Sequence, residues 1–185
     1  MTQPLEATRD TSLERARRGD LAAFRELLRH HKARVYSIAL RFTGRHADAE
    51  ELAQDVFLQL HGALAQIESD AHLKHWLLRT VAHRCIDHRR KDGRRPKLVS
   101  VETLPESAEA APEEGGDPLL GSQVRHLLLQ LAPEARAVLL LRFQEDLDPS
   151  GIATALDMSV NTVKSHLRRS IEWLRARLTG ENDGR

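Results

Sequence analysis

Apolar residues recur every three or four positions in two blocks of the chain, and neither block shows the alternation typical of strands. That spacing places apolar side chains on one face of an α-helix. Over residues 10–92 it predicts a bundle of three or four helices, large enough for a modest core. Asp20 is predicted to cap one helix and Gly44 to stop it. The positions predicted to face inward are Leu21, Phe24, Leu27, Leu28, Val35, Ile38, Ala39, Phe42, Ala49, Leu52, Val56, Phe57, Leu60, Leu64, Leu73, Trp76, Leu77, Val81 and Cys85.

The second block, over residues 121–180, predicts four further helices. The first is expected to end near Pro133 and the second to cover residues 137–143. A three-residue turn then separates two helices: Asp157 tolerates a left-handed backbone there, and Ser159 caps the helix that follows. This order predicts a helix-turn-helix. The inward positions are Val124, Leu127, Leu128, Leu131, Ile152, Ala155, Leu156, Val160, Val163, Leu167, Ile171 and Leu174.

Between the blocks, residues 93–120 have a composition typical of disorder. They contain four prolines and two adjacent glycines, and no Lys or Arg occurs over residues 98–120. Such a segment buries too little apolar surface to offset the entropy of ordering. Its acids are Glu102, Glu106, Glu109, Glu113, Glu114 and Asp117. The sequence therefore predicts an all-α fold, in which an N-terminal helical bundle and a C-terminal four-helix domain are joined by a flexible acidic linker.

The formal net charge is only +1, but the charges are segregated along the chain. One basic block precedes the linker and consists of Arg89, Arg90, Lys91, Arg94, Arg95 and Lys97. Another lies near the C-terminus and consists of Lys164, Arg168, Arg169, Arg175 and Arg177. Two basic patches separated by an acidic tether favour two contacts with a polyanion. Either patch alone is equally well explained as a solvated helix end.

Several classes of protein are disfavoured. A single cysteine, Cys85, excludes an intramolecular disulfide, and its place on an apolar stripe favours an inert thiol. The chain begins without a signal-peptide pattern, and no apolar run approaches the roughly 18 residues of a membrane span. His72, His75 and His83 are not spaced to converge on a metal with a fourth ligand. We therefore expect a cytoplasmic protein without membrane insertion, metal, cofactor, small-molecule substrate or catalytic activity.

The helix after the predicted turn has an outward face suited to DNA. Short polar side chains near a helix N-terminus reach base edges, while the cations behind them hold phosphates. The outward residues are Asn161, Thr162, Lys164, Ser165, His166, Arg168 and Arg169. A plain helical hairpin with a solvated face explains the same residues. The turn spacing, the cap and the charge together favour DNA binding.

These residues resemble a known family. Over residues 131–178, LAPEARAVLLLRF and IATALDMSVNTVKSHLRRSIEWLRARL resemble the C-terminal domain of the extracytoplasmic-function (ECF) sigma factors of bacterial RNA polymerase. The segment FRELLRHHKARVYSIALRFTGRHADAEELAQDVFLQL is similar to the part of the family that binds core polymerase. HLKHWLLRTVAHRCIDHRRK is similar to its promoter-melting part. The matches follow the family's order.

The resemblance implies a role for each segment. Core RNA polymerase would dock on Glu51, Gln54, Asp55 and Leu58. The minus-ten promoter strand, with one base flipped into a pocket, would bind Trp76, Arg79, His83, Arg84, Asp87, Arg89 and Arg90. The minus-thirty-five duplex would bind the outward residues of the helix-turn-helix. An anti-sigma factor is the further partner implied, and the acidic linker would thread into the polymerase channels.

The chain departs from the family's pattern at two positions. The family often has asparagine seven residues after the tryptophan, where the flipped base is bound, and here the residue is His83. Its helix-turn-helix usually carries glycine in the turn, where this chain has Asp157. The first departure leaves the base preference open. The second predicts a small cost in stability and no change of fold.

Two other functions fit parts of the pattern. A sigma-like decoy would bind an anti-sigma protein and never touch DNA, but the base-reading residues and the basic block after Asp87 argue against it. A one-component repressor would need a pocket-forming or dimerising bundle, whereas the linker indicates two independently placed domains. The sequence therefore favours a factor that binds core polymerase, melts promoter DNA and starts transcription of a specific regulon.

Overall fold

The computed structural model describes residues 11–92 and 118–179, which form eight α-helices and no strands. The helices are α1 (Ser12–Arg17), α2 (Leu21–Thr43), α3 (His46–Ala63), α4 (Asp70–Asp92), α5 (Pro118–Gln130), α6 (Pro133–Phe143), α7 (Pro149–Leu156) and α8 (Val160–Leu178). A short 3-10 turn, Leu64–Gln66, follows α3. The predicted all-α fold is confirmed. The acidic residues of the predicted linker lie outside the described residues, and α5 already begins at Pro118, three residues before the predicted second domain.

Local sequence signals set the ends of the first helices. Thr11 and Glu14 form a reciprocal capping box at the start of α1, each side chain accepting the other's backbone N–H. Asp20 caps α2 as predicted, and its carboxylate accepts two backbone N–H groups. The helix ends at Gly44, whose φ of +73° lies in the left-handed region that favours glycine.

The helices α1 to α4 form the predicted N-terminal bundle, with α2 packed against α1, α3 and α4. Most of the predicted inward stripe is buried. Leu21 is an exception, with 62% of its surface exposed, because the first turn of α2 buries Ala23 instead. The fully buried side chains of this unit include Val35, Ile38, Phe42, Val56, Leu60, Ile67, Leu73, Leu77 and Leu78.

The helices α5 to α8 form the C-terminal unit, and α6 is its central helix. All seven residues from 135 to 141 are buried, so α6 has no solvated side along this stretch. Helices α7 and α8 cover part of it, and α2 and α4 of the N-terminal bundle cover the rest. A helix that is apolar all round requires such cover on every side. The C-terminal unit therefore completes its core against the N-terminal unit.

The sequence leaves open whether the two domains pack together in the free protein, and in the structure they do. Buried residues of both units form one continuous hydrophobic cluster. Gly44 lies at the junction: a Cβ atom added there would lie 2.8 Å from Cδ1 of Leu129 in α5. Sequence could not decide this, because helical periodicity shows that α6 is apolar without showing that one of its faces is filled by α4.

Arg136 of α6 spans the junction and is 0% exposed. Its guanidinium donates to the backbone carbonyl of Phe42 in the N-terminal unit and to those of Leu129 and Leu131 in its own unit. The cation also lies 5.0 Å from the centroid of the Phe42 ring. Burial lowers the pKa of Arg136 to about 10, so it stays charged at neutral pH. Sequence reasoning missed this residue, whose signal is a single cation within the apolar run of α6.

Candidate nucleic-acid interface

The predicted polymerase-binding face lies on the outer side of α3. Its buried side holds Ala49, Leu52, Val56 and Leu60, and helical geometry turns the predicted residues away from that side. Glu51 and Gln54 are exposed and Asp55 is half-buried. Leu58 is 72% exposed, which is unusual for a large apolar side chain in the middle of a helix. A single exposed apolar side chain does not by itself mark a binding surface, and what singles out Leu58 is its place among the residues that the family resemblance assigns to polymerase binding.

The predicted minus-ten residues lie along α4. This helix buries Leu73, Leu77, Val81 and Cys85, which places the predicted residues at the edges of that stripe and outside it. Trp76, His83, Arg84 and Arg89 are half-buried, and Arg79, Asp87 and Arg90 are exposed. The cations at the end of α4 also lie where the helix dipole favours positive charge.

Three of these α4 residues contact the C-terminal unit. Arg79 Nη2 lies 2.8 Å from Oδ2 of Asp157, and His83 Nε2 lies 3.0 Å from the carbonyl oxygen of Ala155. Arg90 Nη2 lies 2.6 Å from Oε1 of Glu134. The minus-ten surface predicted from sequence is therefore partly occupied within the protein itself.

The contact with Arg90 affects the pKa of Glu134. Burial raises the pKa of its carboxyl, but hydrogen bonds from its own backbone N–H and from Arg90, together with the charges of Arg90 and His166, bring that pKa below its usual value. The carboxylate thus links the basic end of α4 electrostatically to His166 of the recognition helix. Sequence reasoning missed Glu134, because an acid in the first turn of a helix reads as ordinary dipole compensation.

The helix-turn-helix forms as predicted. Asp157 adopts a left-handed conformation with φ of 53° and ψ of 43°, and it ends α7. Ser159 caps α8 by accepting the backbone N–H of Thr162 at 3.0 Å. Ile152, Ala155 and Leu156 of α7 and Val163 of α8 form the buried contact between the two helices.

The predicted DNA-contacting residues of α8 share its outer face. Asn161, Thr162, Lys164, Arg168 and Arg169 are exposed, and Ser165 and His166 are half-buried. Five of the seven line a shallow concavity: Asn161, Thr162, Ser165, His166 and Arg169. The first turn of α8 thus offers amide and hydroxyl groups, with cations behind them, as duplex recognition requires.

The described residues contain neither a cluster of metal ligands nor a membrane-spanning helix. Within residues 11–92 and 118–179, no three His, Cys, Asp or Glu side chains converge as metal ligands would. Among the helices of those residues, none is both long enough and apolar enough to cross a bilayer.

The chain matches two family models, in the order in which the two units occur. Residues 27–95 match Sigma-70 region 2. Residues 122–174 match Sigma-70, region 4. The first match covers α3 and α4, and the second covers the helix-turn-helix.

Individual proteins agree with these models. The ECF RNA polymerase sigma factor SigE of Mycolicibacterium smegmatis is 32% identical over 167 residues, which are 85% of this chain and 63% of that protein. The chain thus spans less than two thirds of that relative's length. The RNA polymerase sigma-E factor of Streptomyces coelicolor is 32% identical over 171 residues, 89% of this chain and 90% of that one.

The fold also occurs in a solved structure, the co-crystal structure of the sigma factor RpoE in complex with the anti-sigma factor NepR from Bartonella quintana. The match has a TM-score of 0.66 and 22% identity, and it covers 89% of this chain and 100% of that chain. Both sigma-70 models, the 32% identical relatives and the helix-turn-helix geometry lead to one conclusion. The chain belongs to the ECF family of RNA polymerase sigma factors, the transcription initiation factors that recognise promoters.

Proposed function

We propose that each unit of the chain makes its own contact during initiation: α3 with core RNA polymerase, α4 with the minus-ten strand and α8 with the minus-thirty-five duplex. In this proposal residues 10–92 form the polymerase-binding and promoter-melting domain, residues 93–120 the acidic linker and residues 121–180 the duplex-binding domain. The observation that carries it is the capped recognition helix α8, whose predicted DNA-contacting residues share one accessible face.

The α3 contact is supported by Leu58. A large apolar side chain that is 72% exposed next to Glu51 and Gln54 provides an apolar centre with a polar rim. Binding of polymerase there would bury the leucine and leave the acids to pair with cations of the partner. This contact is independent of DNA, and it can be tested separately.

The α4 contact is supported by charge and by an aromatic ring. Arg79, Arg84, Arg89 and Arg90 supply cations for the backbone of a single strand, and Trp76 supplies a surface on which a base can stack. His83, in place of the family's asparagine, would contact the flipped base as a hydrogen-bond donor or acceptor. The promoter sequence is set by these groups together with those of α8.

The proposal also covers partners and location. An anti-sigma factor is an expected partner, as it is for the RpoE of Bartonella quintana. The place of action is the cytoplasm, where core RNA polymerase and promoter DNA are found. The protein contributes binding energy and DNA deformation, and the polymerase carries out the chemistry.

In vitro transcription tests this function. Purified protein and core RNA polymerase are incubated with genomic DNA, and the RNA start sites are mapped by sequencing. We expect discrete new starts that share a two-part upstream motif. Binding to core polymerase without initiation would indicate the decoy function instead, and the absence of binding would leave a conventional repressor.

Two exposed leucines provide a matched pair for the polymerase contact. We expect Leu58→Glu to weaken binding to core polymerase at least about tenfold, because it places a charge at the centre of a protein interface. Leu21→Glu is the control: Leu21 is 62% exposed at the start of α2, where an acid suits the helix dipole. Equal loss of binding in both variants would contradict the assignment of α3 as the polymerase-binding face.

A further inference from the structure

The two positions at which this chain departs from the family's pattern lie next to each other in the structure. His83 is on α4 of the N-terminal unit, and Asp157 is in the turn of the helix-turn-helix. The His83 Nε2 atom lies 3.7 Å from Asp157 Oδ2. They are 74 residues apart in sequence, and helical periodicity gives no indication that they meet.

Asp157 makes its shortest contact with Arg79, one turn before His83 on α4. The 2.8 Å distance between Arg79 Nη2 and Asp157 Oδ2 is that of a charge-assisted hydrogen bond. The left-handed backbone at Asp157 is uncommon for a residue other than glycine. The turn thus carries an aspartate where glycine would be conformationally easier, and that carboxylate contacts the arginine.

The contact between Arg79 and Asp157 is chemically similar to a contact between an arginine and a DNA phosphate. A carboxylate on an arginine presents the same negative oxygens to the guanidinium as a phosphate of the promoter strand. His83 Nε2 is engaged at the same place by the carbonyl of Ala155. Both groups are partly covered while the turn lies on α4, with 44% of the Arg79 side chain and 39% of the His83 side chain exposed, so the C-terminal unit and the minus-ten strand compete for one surface.

Contacts farther along the junction hold the unit in place without using the predicted minus-ten residues. Arg136 donates to the carbonyl of Phe42 at the end of α2. Gln144 Nε2 lies 3.1 Å from Ser37 Oγ, also on α2. These contacts place the turn over α4, and Asp157 is the acid that contacts two predicted strand-binding residues there.

We propose that Asp157 is an internal mimic of a DNA phosphate, which locks the promoter-melting helix α4 under the C-terminal unit in the free protein. The lock keeps α4 from single-stranded DNA, while the outer face of α8 stays exposed. Opening requires partners that draw the units apart, and in the proposed function core polymerase binds α3 of one unit while the minus-thirty-five duplex binds α8 of the other. The inference rests on that function, because it takes α4 to be the strand-binding surface.

The structure offers a fold-neutral variant to test this. Asp157→Gly removes the carboxylate and relieves the left-handed backbone, so the helix-turn-helix is retained. Asp157→Asn also tolerates that conformation and removes only the charge. Asp146→Gly is the matched control: Asp146 has a φ of 52° and pairs with Arg142 of its own unit.

Separation of the C-terminal unit from the N-terminal unit is measured in the absence of DNA. Dyes are attached at Gln66→Cys and Arg175→Cys, exposed positions on the two units, and single-molecule energy transfer reports their separation in the full chain. Arg79 and Asp157 are 44% and 58% exposed, so we expect Asp157→Gly and Asp157→Asn to raise the ratio of open to closed molecules about two- to fivefold. High salt should open the wild type in the same way, because it screens the pair.

Strand binding is measured separately, by the fluorescence anisotropy of a labelled single-stranded oligonucleotide. Its sequence is the non-template minus-ten element of a start mapped in the transcription assay. The apparent affinity of the free protein scales with the open fraction. We expect Asp157→Gly to bind about two- to fivefold more tightly, and Asp146→Gly to bind as the wild type does.

The two measurements separate the possible failures. If Asp157→Gly opens no more than Asp146→Gly, the lock is refuted and the proposed function stands. If Asp157→Gly opens and Asp157→Asn does not, the backbone and not the carboxylate holds the units, which also refutes the mimic. If both open without tighter strand binding, α4 is not the strand-binding surface, and the proposed function fails at that point.

Discussion

At the scale of single residues, burial alters the chemistry of the single cysteine of the chain. Cys85 is 0% exposed on the inner face of α4. Burial raises the pKa of its thiol to about 12, only partly opposed by the nearby charge of Arg136. Because the thiolate is the reactive form, the structure accounts for the inert cysteine predicted from its position on the apolar stripe.

We expect Cys85 to resist thiol reagents in the native protein. The rise from 9.0 to about 12 lowers the thiolate population on the order of 1000-fold at pH 8, and burial blocks access as well. Reaction with Ellman's reagent, followed by absorbance, should be slow in buffer and complete in guanidinium chloride. The exposed cysteine of Gln66→Cys is the control and should react at once. Rapid modification of native Cys85 would contradict the buried position.

At the scale of elements, the boundaries that sequence predicted are those with a local chemical signal. Asp20, Gly44 and Ser159 act as cap, stop and cap as expected, because each works through its own backbone neighbourhood. The extent of α6 was underestimated, since it begins at Pro133 and not at residue 137. Proline is favoured in the first turn of a helix, where its missing N–H has no intrahelical partner.

We expect Ser159→Ala to destabilise the C-terminal unit by about 1 kcal/mol, because the N–H of Thr162 loses its acceptor at the start of α8. Urea unfolding followed by circular dichroism measures the change. Ser150→Ala is the control, since Ser150 is exposed in the first turn of α7, where Asp148 already acts as the cap. Equal midpoints for the two variants would show that the cap contributes nothing.

At the scale of the whole molecule, the junction between the units contains a buried acid. The side chain of Glu145 is 4% exposed, and its Oε2 lies 3.2 Å from Arg34 Nε of α2. Burial raises the pKa of Glu145 above 4.5 despite the attraction of Arg34 and Lys74. The folded protein therefore binds this proton more tightly than the unfolded chain does, and stability from this group is lost as the pH rises through the raised pKa.

We expect Glu145→Gln to raise the free energy of unfolding at pH 7.5, because the neutral amide avoids the cost of burying a charge. The advantage should shrink as the pH is lowered toward 4.5, where the wild-type carboxyl becomes neutral as well. Thermal unfolding midpoints of both proteins across that range measure the difference. Glu172→Gln, at an exposed ion pair on α8, should show no such trend. If Glu145→Gln unfolds at a lower temperature than the wild type by the same amount at every pH, the ion pair with Arg34 outweighs the cost of burying the charge.

The sequence by itself determined most of the helices, the caps at Asp20 and Ser159, the stop at Gly44 and the chemistry of the outward faces of α3 and α8. These follow from interactions within a few residues, so periodicity and composition were sufficient to predict them. The family resemblance supplied the proposed roles of those faces, which spacing alone could not.

Only the tertiary structure decided what lies on α4. Arg79 and Asp157 are 78 residues apart in sequence. The partners in the junction contacts Arg90–Glu134 and Arg136–Phe42 are 44 and 94 residues apart, and no local pattern links any of these pairs. An apolar run such as 135–141 shows that a helix must be covered, without showing by which helix. The reason is physical: side-chain direction is a local property, whereas the choice of packing partner depends on how the whole chain buries its apolar surface.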